Sequence, residues 1–203
     1  MRRTGRLAER RSRLGAGLWI GVGLVLLLTL ATAPAPRAEG PDTPTLKDAF
    51  VHWRDGYLLH MAGRYEAAAA RFRKSIEAHP TAEGHTFLGW SLSELGQLEA
   101  AIDECKTAIE IDPDYGNPYN DIGVYLIELD RPDEAVPWLE KAMRAERYCC
   151  YQYPHFNLGR VRLGQGRVQE AKRAFERALT YDPDYQPARQ GLDHILQEWG
   201  QTL

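Results

Sequence analysis

Cysteine is scarce in this chain. Only three occur in 203 residues, Cys105, Cys149 and Cys150, and no two are spaced as Cys-x-x-Cys. Structural zinc sites and c-type haem attachment need such spacing, so the sequence predicts neither a metal site nor a haem. Cys105 lies in an apolar helical pattern and is interpreted as a small core residue. The adjacent Cys149 and Cys150 leave three interpretations open: a packed joint, which we favour, a thiol-redox pair, or a bond from one of them to another partner.

Catalytic motifs are absent as well. The chain contains no glycine-rich phosphate loop, no zinc-protease histidine pair and no Ser, His and Asp order typical of a hydrolase. The phrase "DPDYGN" lacks the glutamate that a calcium loop needs, because Gly123 occupies that position. The sequence therefore predicts a protein that is not an enzyme. It predicts no catalytic, metal or cofactor-binding residues, no cofactor and no small-molecule substrate.

Basic residues are few after residue 37. Seven of the 25 lysines and arginines precede that point, against one of the 28 acidic residues. The remaining body carries a net charge of about −9. A nucleic-acid-binding surface needs a basic face to neutralise phosphates, so we expect no nucleic acid among the partners.

Long apolar runs are also missing, with one exception. Residues 14–35 contain no charge and follow a basic segment, 1–13, while residues 36–44 are rich in proline and read as a spacer. The run is long enough to span a bilayer, and Pro34 after Ala33 makes a poor cleavage site. We expect a single-pass anchor in a bacterial inner membrane with the C-terminal domain in the periplasm, because the arginines stay in the cytoplasm. The alternative is a cleaved signal peptide and a secreted or periplasmic protein.

The rest of the chain repeats itself. The phrases "GRYEAAAARFRKSIEAHP", "GQLEAAIDECKTAIEIDP", "DRPDEAVPWLEKAMRAER" and "GRVQEAKRAFERALTYDP" align with one another, and the third ends at Arg147 where the others have proline. A glycine precedes each phrase at the same place, at Gly56, Gly89, Gly123 and Gly159, with spacings of 33, 34 and 36 residues. An alanine in each phrase (Ala68, Ala101, Ala135 and Ala171) would let two helices cross closely beside that glycine.

This period and pattern resemble the tetratricopeptide repeat. The resemblance implies an all-α, right-handed superhelix of about four helix-turn-helix repeats with a C-terminal capping helix, preceded by the hydrophobic segment. The expected repeats span 45–81, 82–115, 116–151 and 152–185, and the cap spans 186–203. Phe72, Cys105, Leu139 and Phe175 are expected in the core, and the cap is expected to bury a stripe from Ala188 to Trp199 that includes Leu196.

The same resemblance implies a concave groove lined by the first helix of each repeat, in which another protein or peptide binds. The residues expected to form this partner-binding groove are Trp53, Tyr57, Thr86, Trp90, Asn120, Val124, Phe156 and Arg160. The lysine, asparagine and arginine clamp with which some members hold the acidic tails of cytosolic chaperones is missing, because its places are occupied by residues that include Trp53, Tyr57, Phe87 and Asn157.

Two functions therefore stay open. The first is an exported, membrane-tethered interaction module that binds a partner in its groove. The second is an assembly or pilot factor for an envelope complex such as a pilus or secretin. Repeats three and four, with their longer joint, resemble the tetratricopeptide lipoproteins that help to assemble type IV pilus secretins, although no cysteine for lipid attachment follows the apolar run.

Overall fold

The computed structural model describes residues 45–200, and every regular element in this range is an α-helix. The helices are α1 Leu46–Met61, α2 Tyr65–Ala78, α3 Ala82–Glu94, α4 Leu98–Ile111, α5 Asn117–Glu128, α6 Pro132–Ala142, α7 Gln152–Gly164, α8 Val168–Tyr181 and α9 Gln186–Trp199. None of these helices is long and apolar enough to cross a membrane. The predicted basic segment, hydrophobic segment and spacer, 1–44, lie outside the described residues.

The helices form four hairpins followed by a final helix, as the sequence predicts. Helices α1 and α2, α3 and α4, α5 and α6, and α7 and α8 pack as pairs, and α9 packs on α8. Each pair is joined by a short turn that contains one residue with positive φ: Gly63, Gly96, Asp130 and Gly166. A left-handed residue ends the first helix and reverses the chain, which favours glycine at that place.

The ends of the helices follow the signals in the sequence. Thr45 and Asp48 form a capping box at the start of α1, and the Thr81 hydroxyl accepts a hydrogen bond from the Gly84 backbone N–H at the start of α3. Helices α2, α4 and α8 each end two residues before a proline. These stops agree with the inability of proline to continue a helix.

The predicted close crossings are confirmed. The four alanines, Ala68, Ala101, Ala135 and Ala171, are fully buried, and so are Phe72, Cys105, Leu139 and Phe175. A Cβ at Gly56 would lie 2.9 Å from the Phe72 ring, and a Cβ at Gly159 would lie within 3.0 Å of three atoms of the Phe175 ring. The glycine of each first helix therefore makes room for a core side chain of the second helix. That side chain is large in three hairpins and is Cys105 in the hairpin of α3 and α4.

The third hairpin departs from its siblings. Helix α6 ends at Ala142, five residues before the end of the aligned phrase, and has 11 residues where α2, α4 and α8 have 14. The segment from Met143 to Tyr151, which we term the joint, then runs back to the turn before α5. The Gly116 N–H donates to the Arg147 carbonyl at 3.1 Å, and the Arg147 N–H donates to the Asp114 carbonyl at 2.9 Å.

Side chains fix the joint in this position. The Arg147 guanidinium forms an ion pair with Glu83 at 2.6 Å and lies 4.2 Å from the centre of the Tyr115 ring. Tyr148 is buried against Gly116, where a Cβ would collide with its ring. These contacts replace the last turn of α6, which explains why the helix stops without a proline.

The final helix covers the core of the fourth hairpin. Ala188 and Ile195 are fully buried, and Leu192 and Trp199 pack against Phe175 and its neighbours. The predicted stripe is wrong at Leu196, which is 56% exposed. Ile195, the residue before it, packs with the core residues of α8. Successive residues of an α-helix point about 100° apart, so Leu196 faces solvent.

We expect the crossing glycine of α7 to be less tolerant than a second glycine of the same helix. In Gly159→Ala the new methyl group meets the Phe175 ring, and overpacking of this kind lowers the free energy of unfolding by about 1–3 kcal/mol. A Cβ at Gly164 would meet no neighbouring atom within 4 Å, so Gly164→Ala is expected to be neutral or to stabilise by about 0.5–1 kcal/mol. Urea unfolding followed by circular dichroism measures the free energy of unfolding of both variants. Equal effects would show that the helix crossing at Gly159 can accommodate a methyl group.

The joint is expected to depend on Tyr148. Truncation in Tyr148→Ala removes a buried aromatic ring and is expected to lower the free energy of unfolding by about 3–5 kcal/mol. Leu58→Ala is the control, since Leu58 lies on α1 away from the joint and is 60% exposed, and its expected effect is about 1 kcal/mol or less. The same unfolding measurement applies, and a Tyr148 variant as stable as the control would contradict the described packing.

Candidate functional site

The first helices of the hairpins lie next to one another. Helix α1 contacts α3, α3 contacts α5, α5 contacts α7, and α7 contacts α9. Within residues 45–200 the second helices make no such contacts with each other. A stack that is closer along one side curves toward that side, so α1, α3, α5 and α7 line the concave face. The groove predicted from the sequence therefore has a definite location, and partner binding in it stays a prediction.

One end of this face is aromatic. The rings that form the patch, which we term the aromatic patch, are Phe50, Trp53, Tyr57, Phe87 and Trp90. Trp53 stacks on Tyr57 at 5.7 Å between ring centres, and the edge of Phe87 meets Trp53 at 5.1 Å. Phe50 is 60% exposed and Tyr57 36%, whereas both tryptophans are half-buried between α1 and α3. The patch thus offers apolar surface to solvent from a rigid base.

An apolar cavity of about 260 Å³ opens beside the patch. Its lining residues are Leu46, Ala49, Phe50, Trp53, Ser75, Thr81 and Glu83. The buried Trp53 Nε1–H has no hydrogen-bond acceptor among the described residues, so ring contacts and core packing orient the indole. A cavity of this size suits one or two apolar side chains of a bound segment.

A second cavity, of about 420 Å³, lies at the centre of the groove. Its lining residues are Trp90, Asn117, Asn120, Asp121, Tyr148, Cys150 and Tyr153, and we term it the central pocket. Trp90 belongs to both the aromatic patch and the central pocket, so the two adjoin at this side chain. The joint supplies Tyr148 and Cys150 as one wall.

A line of polar side chains crosses the floor of the groove. The Trp90 Nε1–H donates to Asp121 Oδ2 at 2.6 Å, and the Asn120 amide donates to Asp121 Oδ1 at 3.4 Å. The Asn157 amide donates to Asn120 Oδ1 at 3.1 Å, and Arg160 donates to Asn157 Oδ1 at 3.3 Å. These bonds connect α3, α5 and α7, and buried polar groups paired in this way specify a single packing of the helices.

Burial changes the acidity of Asp121. Loss of hydration disfavours the carboxylate and raises the pKa of Asp121 to about 7, although the hydrogen bonds from Trp90 and Asn120 act in the opposite direction. The carboxyl group is therefore near half ionisation at neutral pH. The floor of the central pocket carries a charge that a ligand or a small change in pH can alter.

The structure places the predicted groove residues in two groups. Trp53, Tyr57, Trp90, Val124, Phe156 and Arg160 retain exposed surface. Thr86 provides no free surface, contrary to the prediction, and Asn120 provides only the small part of its surface that lines the central pocket. Thr86 has no exposed area because its hydroxyl donates to the Ala82 carbonyl inside the hairpin core, and the amide of buried Asn120 is held by Asn157 and Asp121.

Sequence reasoning missed three residues of the groove floor and wall: Asp121, Asn157 and Tyr148. Asp121 and Asn157 each precede the repeat glycine by two residues, the place that Phe87 occupies in α3. Polar residues at equivalent places of two apolar helices were the available signal. Tyr148 had no such signal, since its position depends on the return of the joint to Gly116.

The adjacent cysteines are joined by a disulfide, Cys149–Cys150. Cys149 is exposed and Cys150 half-buried at the wall of the central pocket, while the joint itself is packed through Tyr148 and Tyr151. Cys105 is a core residue, as predicted, and burial raises the pKa of its thiol. Between Thr45 and Gly200, no three His, Cys, Asp or Glu residues are grouped so that they could hold a metal ion.

Comparison with protein families gives three matches, each described as a tetratricopeptide repeat, at residues 59–116, 119–147 and 152–185. Together they cover more than half of the chain. Among curated proteins, the chain is 28% identical over 174 residues to the type IV pilus assembly protein PilF of Pseudomonas aeruginosa, covering 77% of this chain and 68% of that protein.

Solved structures show the same fold. PilF of Pseudomonas aeruginosa superposes with a TM-score of 0.71 at 23% identity, covering 76% of this chain and 70% of that one. PilW, a type IV pilus biogenesis factor, gives 0.69 at 21% identity, covering 75% and 70%. YrrB, described as having an unusual peptide-binding site, gives 0.58 at 20% identity, covering 77% and 80%. With its four hairpins and three family matches, the chain belongs to the tetratricopeptide repeat family, whose members bind other proteins or peptides.

Proposed function

We propose that this chain is a non-enzymatic interaction module that binds a partner protein or peptide in the groove lined by α1, α3, α5 and α7. The aromatic patch carries the proposal. Phe50 and Tyr57 present apolar surface that no described residue covers, and large aromatic side chains of this kind supply much of the binding energy in protein interfaces. Because the patch and the central pocket adjoin at Trp90, an extended segment could contact both.

The proposal includes a cellular location. Residues 14–35 tether the protein to a bacterial inner membrane, and the repeats work in the periplasm. The support is the basic and apolar order of the first 35 residues and the missing chaperone clamp. If the segment is cleaved instead, the same module acts as a free periplasmic or secreted protein.

The likeness to PilF favours a second candidate function, assembly of an envelope complex such as a pilus or secretin. That relative is named as a type IV pilus assembly protein and is similar to this chain over most of both lengths. The two candidates differ in the surface that matters. An adaptor works through the groove, whereas an assembly factor can also use its convex or terminal faces.

The experiment is partner capture by the full-length tagged chain from detergent extracts of its own host. We expect Phe50→Ala with Tyr57→Ala to reduce capture at least about tenfold. Burial of each of these side chains by a partner would contribute about 1.5–3 kcal/mol to the free energy of binding, and the substitutions remove that contribution. These two residues are chosen because Trp53 and Trp90 also support the core. The control is Ile111→Ala with Tyr181→Ala, which removes similarly exposed apolar surface from α4 and α8.

Capture that persists in the Phe50 and Tyr57 variant, with unchanged circular dichroism, would reject the groove as the binding surface. In that case the assembly function is tested in the host. Deletion of the gene would abolish surface pili or secretin multimers, and the Phe50 and Tyr57 variant would restore them. Normal pili and secretins in the deletion strain would reject the assembly function.

A further inference from the structure

The carboxylate at the floor of the central pocket has no cationic neighbour. Asp121 takes part in none of the ion pairs formed among residues 45–200. Its two hydrogen bonds come from neutral donors, Trp90 and Asn120. The Arg160 guanidinium, on α7, bonds to Asn157 instead. A buried carboxylate without a positive partner is costly, and a cation entering the pocket would offset part of that cost.

The titratable groups around Asp121 do not balance its charge. Cys105 on α4, Tyr115 before α5, Tyr125 on α5 and Tyr148 in the joint all interact electrostatically with it. Burial, and then the Asp121 charge itself, raises the pKa of each, so all four stay neutral at physiological pH. The remaining charge at the floor is therefore that of Asp121 in its ionised form, which favours a positively charged ligand.

The walls of the pocket suit a cation on a long apolar stem. Trp90, Tyr148 and Tyr153 provide aromatic surface, which attracts ammonium and guanidinium groups through the ring faces and covers their methylene chains. Asn117, at the rim, offers an amide for the backbone of a bound segment. A volume of about 420 Å³ exceeds the size of one lysine or arginine side chain.

We propose that the central pocket binds a cationic side chain, a lysine or an arginine, of the segment held in the groove. The carboxylate of Asp121 pairs with the charge while the aromatic walls cover the stem. The proposal rests on groove binding as the function and adds the chemistry of the partner: a basic residue next to the apolar residues that meet the aromatic patch. The negative charge of the body agrees with a basic partner.

The chain contains its own reporter of this interaction. The Trp90 Nε1–H donates directly to Asp121 Oδ2, so its nitrogen and proton resonances follow the ionisation of that carboxyl group. Selective ¹⁵N labelling of the indoles gives five signals from the full-length chain in detergent, because the sequence holds five tryptophans. Trp90→Phe assigns the Trp90 signal, and Trp138, which lies on α6 outside the groove, serves as internal reference.

The probes are single amino acids with blocked ends: Nα-acetyl-lysine N-methylamide, the arginine equivalent, and the neutral norleucine equivalent, at equal ionic strength. We expect the lysine or the arginine probe to shift the Trp90 signal and to lower its titration midpoint by about one pH unit or more, since a nearby opposite charge favours the carboxylate. The norleucine probe is expected to leave the midpoint near pH 7. The cationic probe with the larger shift identifies the preferred side chain.

Asp121→Asn keeps an oxygen that accepts from Trp90 and is expected to abolish the response to cations. Asp103→Asn, which neutralises an exposed acid on α4, is the matched control and is expected to respond as the unchanged chain does. His60, whose ring centre lies 6.0 Å from that of Trp90 and whose pKa burial lowers, also titrates, and Asp121→Asn separates its contribution.

An equal response to norleucine, or a cation response that survives in Asp121→Asn, would overturn the proposal. The comparison of lysine with norleucine needs no variant, so it stands even if Asp121→Asn does not fold. The probes are single residues and do not require the partner. Their failure therefore leaves the capture test of Phe50 and Tyr57 unaffected, and failure of that test leaves the probe result interpretable.

Discussion

The close crossing of two helices in each hairpin is the constraint on which the rest of the structure depends. A glycine on the first helix faces an alanine and a larger side chain on the second, so Phe72, Leu139 and Phe175 fill space that a Cβ would occupy. Because the pair is fixed at this point, each first helix keeps a defined face toward its neighbours. The aromatic and polar residues of the groove are thereby held on helices that cannot rotate independently.

The third hairpin shows how one local change reshapes a repeated fold. Its second helix is short, and the chain returns across the turn before α5, where Arg147 and Tyr148 fasten it. That return places Tyr148 and Cys150 at the wall of the central pocket. The joint thus completes the central pocket of the concave face.

The groove combines two kinds of surface that act differently on a ligand. The aromatic patch offers area and little directional preference, so it favours apolar side chains of many shapes. The central pocket offers a charge at low hydration, and its hydrogen bonds fix the position of Asp121. Affinity would come mainly from the aromatic patch and selectivity from the central pocket, since a buried carboxyl group discriminates strongly between a cation and a neutral side chain.

The sequence by itself determined the hairpins, their glycine and alanine crossings, the proline stops and the final helix, because these depend on residues close together along the chain or repeated at a fixed period. It also pointed to α1, α3, α5 and α7 as the helices of the groove. Only the tertiary structure decided which of their residues are free. Thr86 is buried in the core, and Asn120 is buried except where it lines the central pocket. Leu196 faces solvent, and Asp121 receives a hydrogen bond from Trp90 of another hairpin. Which residues are buried or paired between hairpins depends on the rotation of each helix about its own axis relative to the neighbouring hairpin. The residue pattern within one repeat does not determine that rotation.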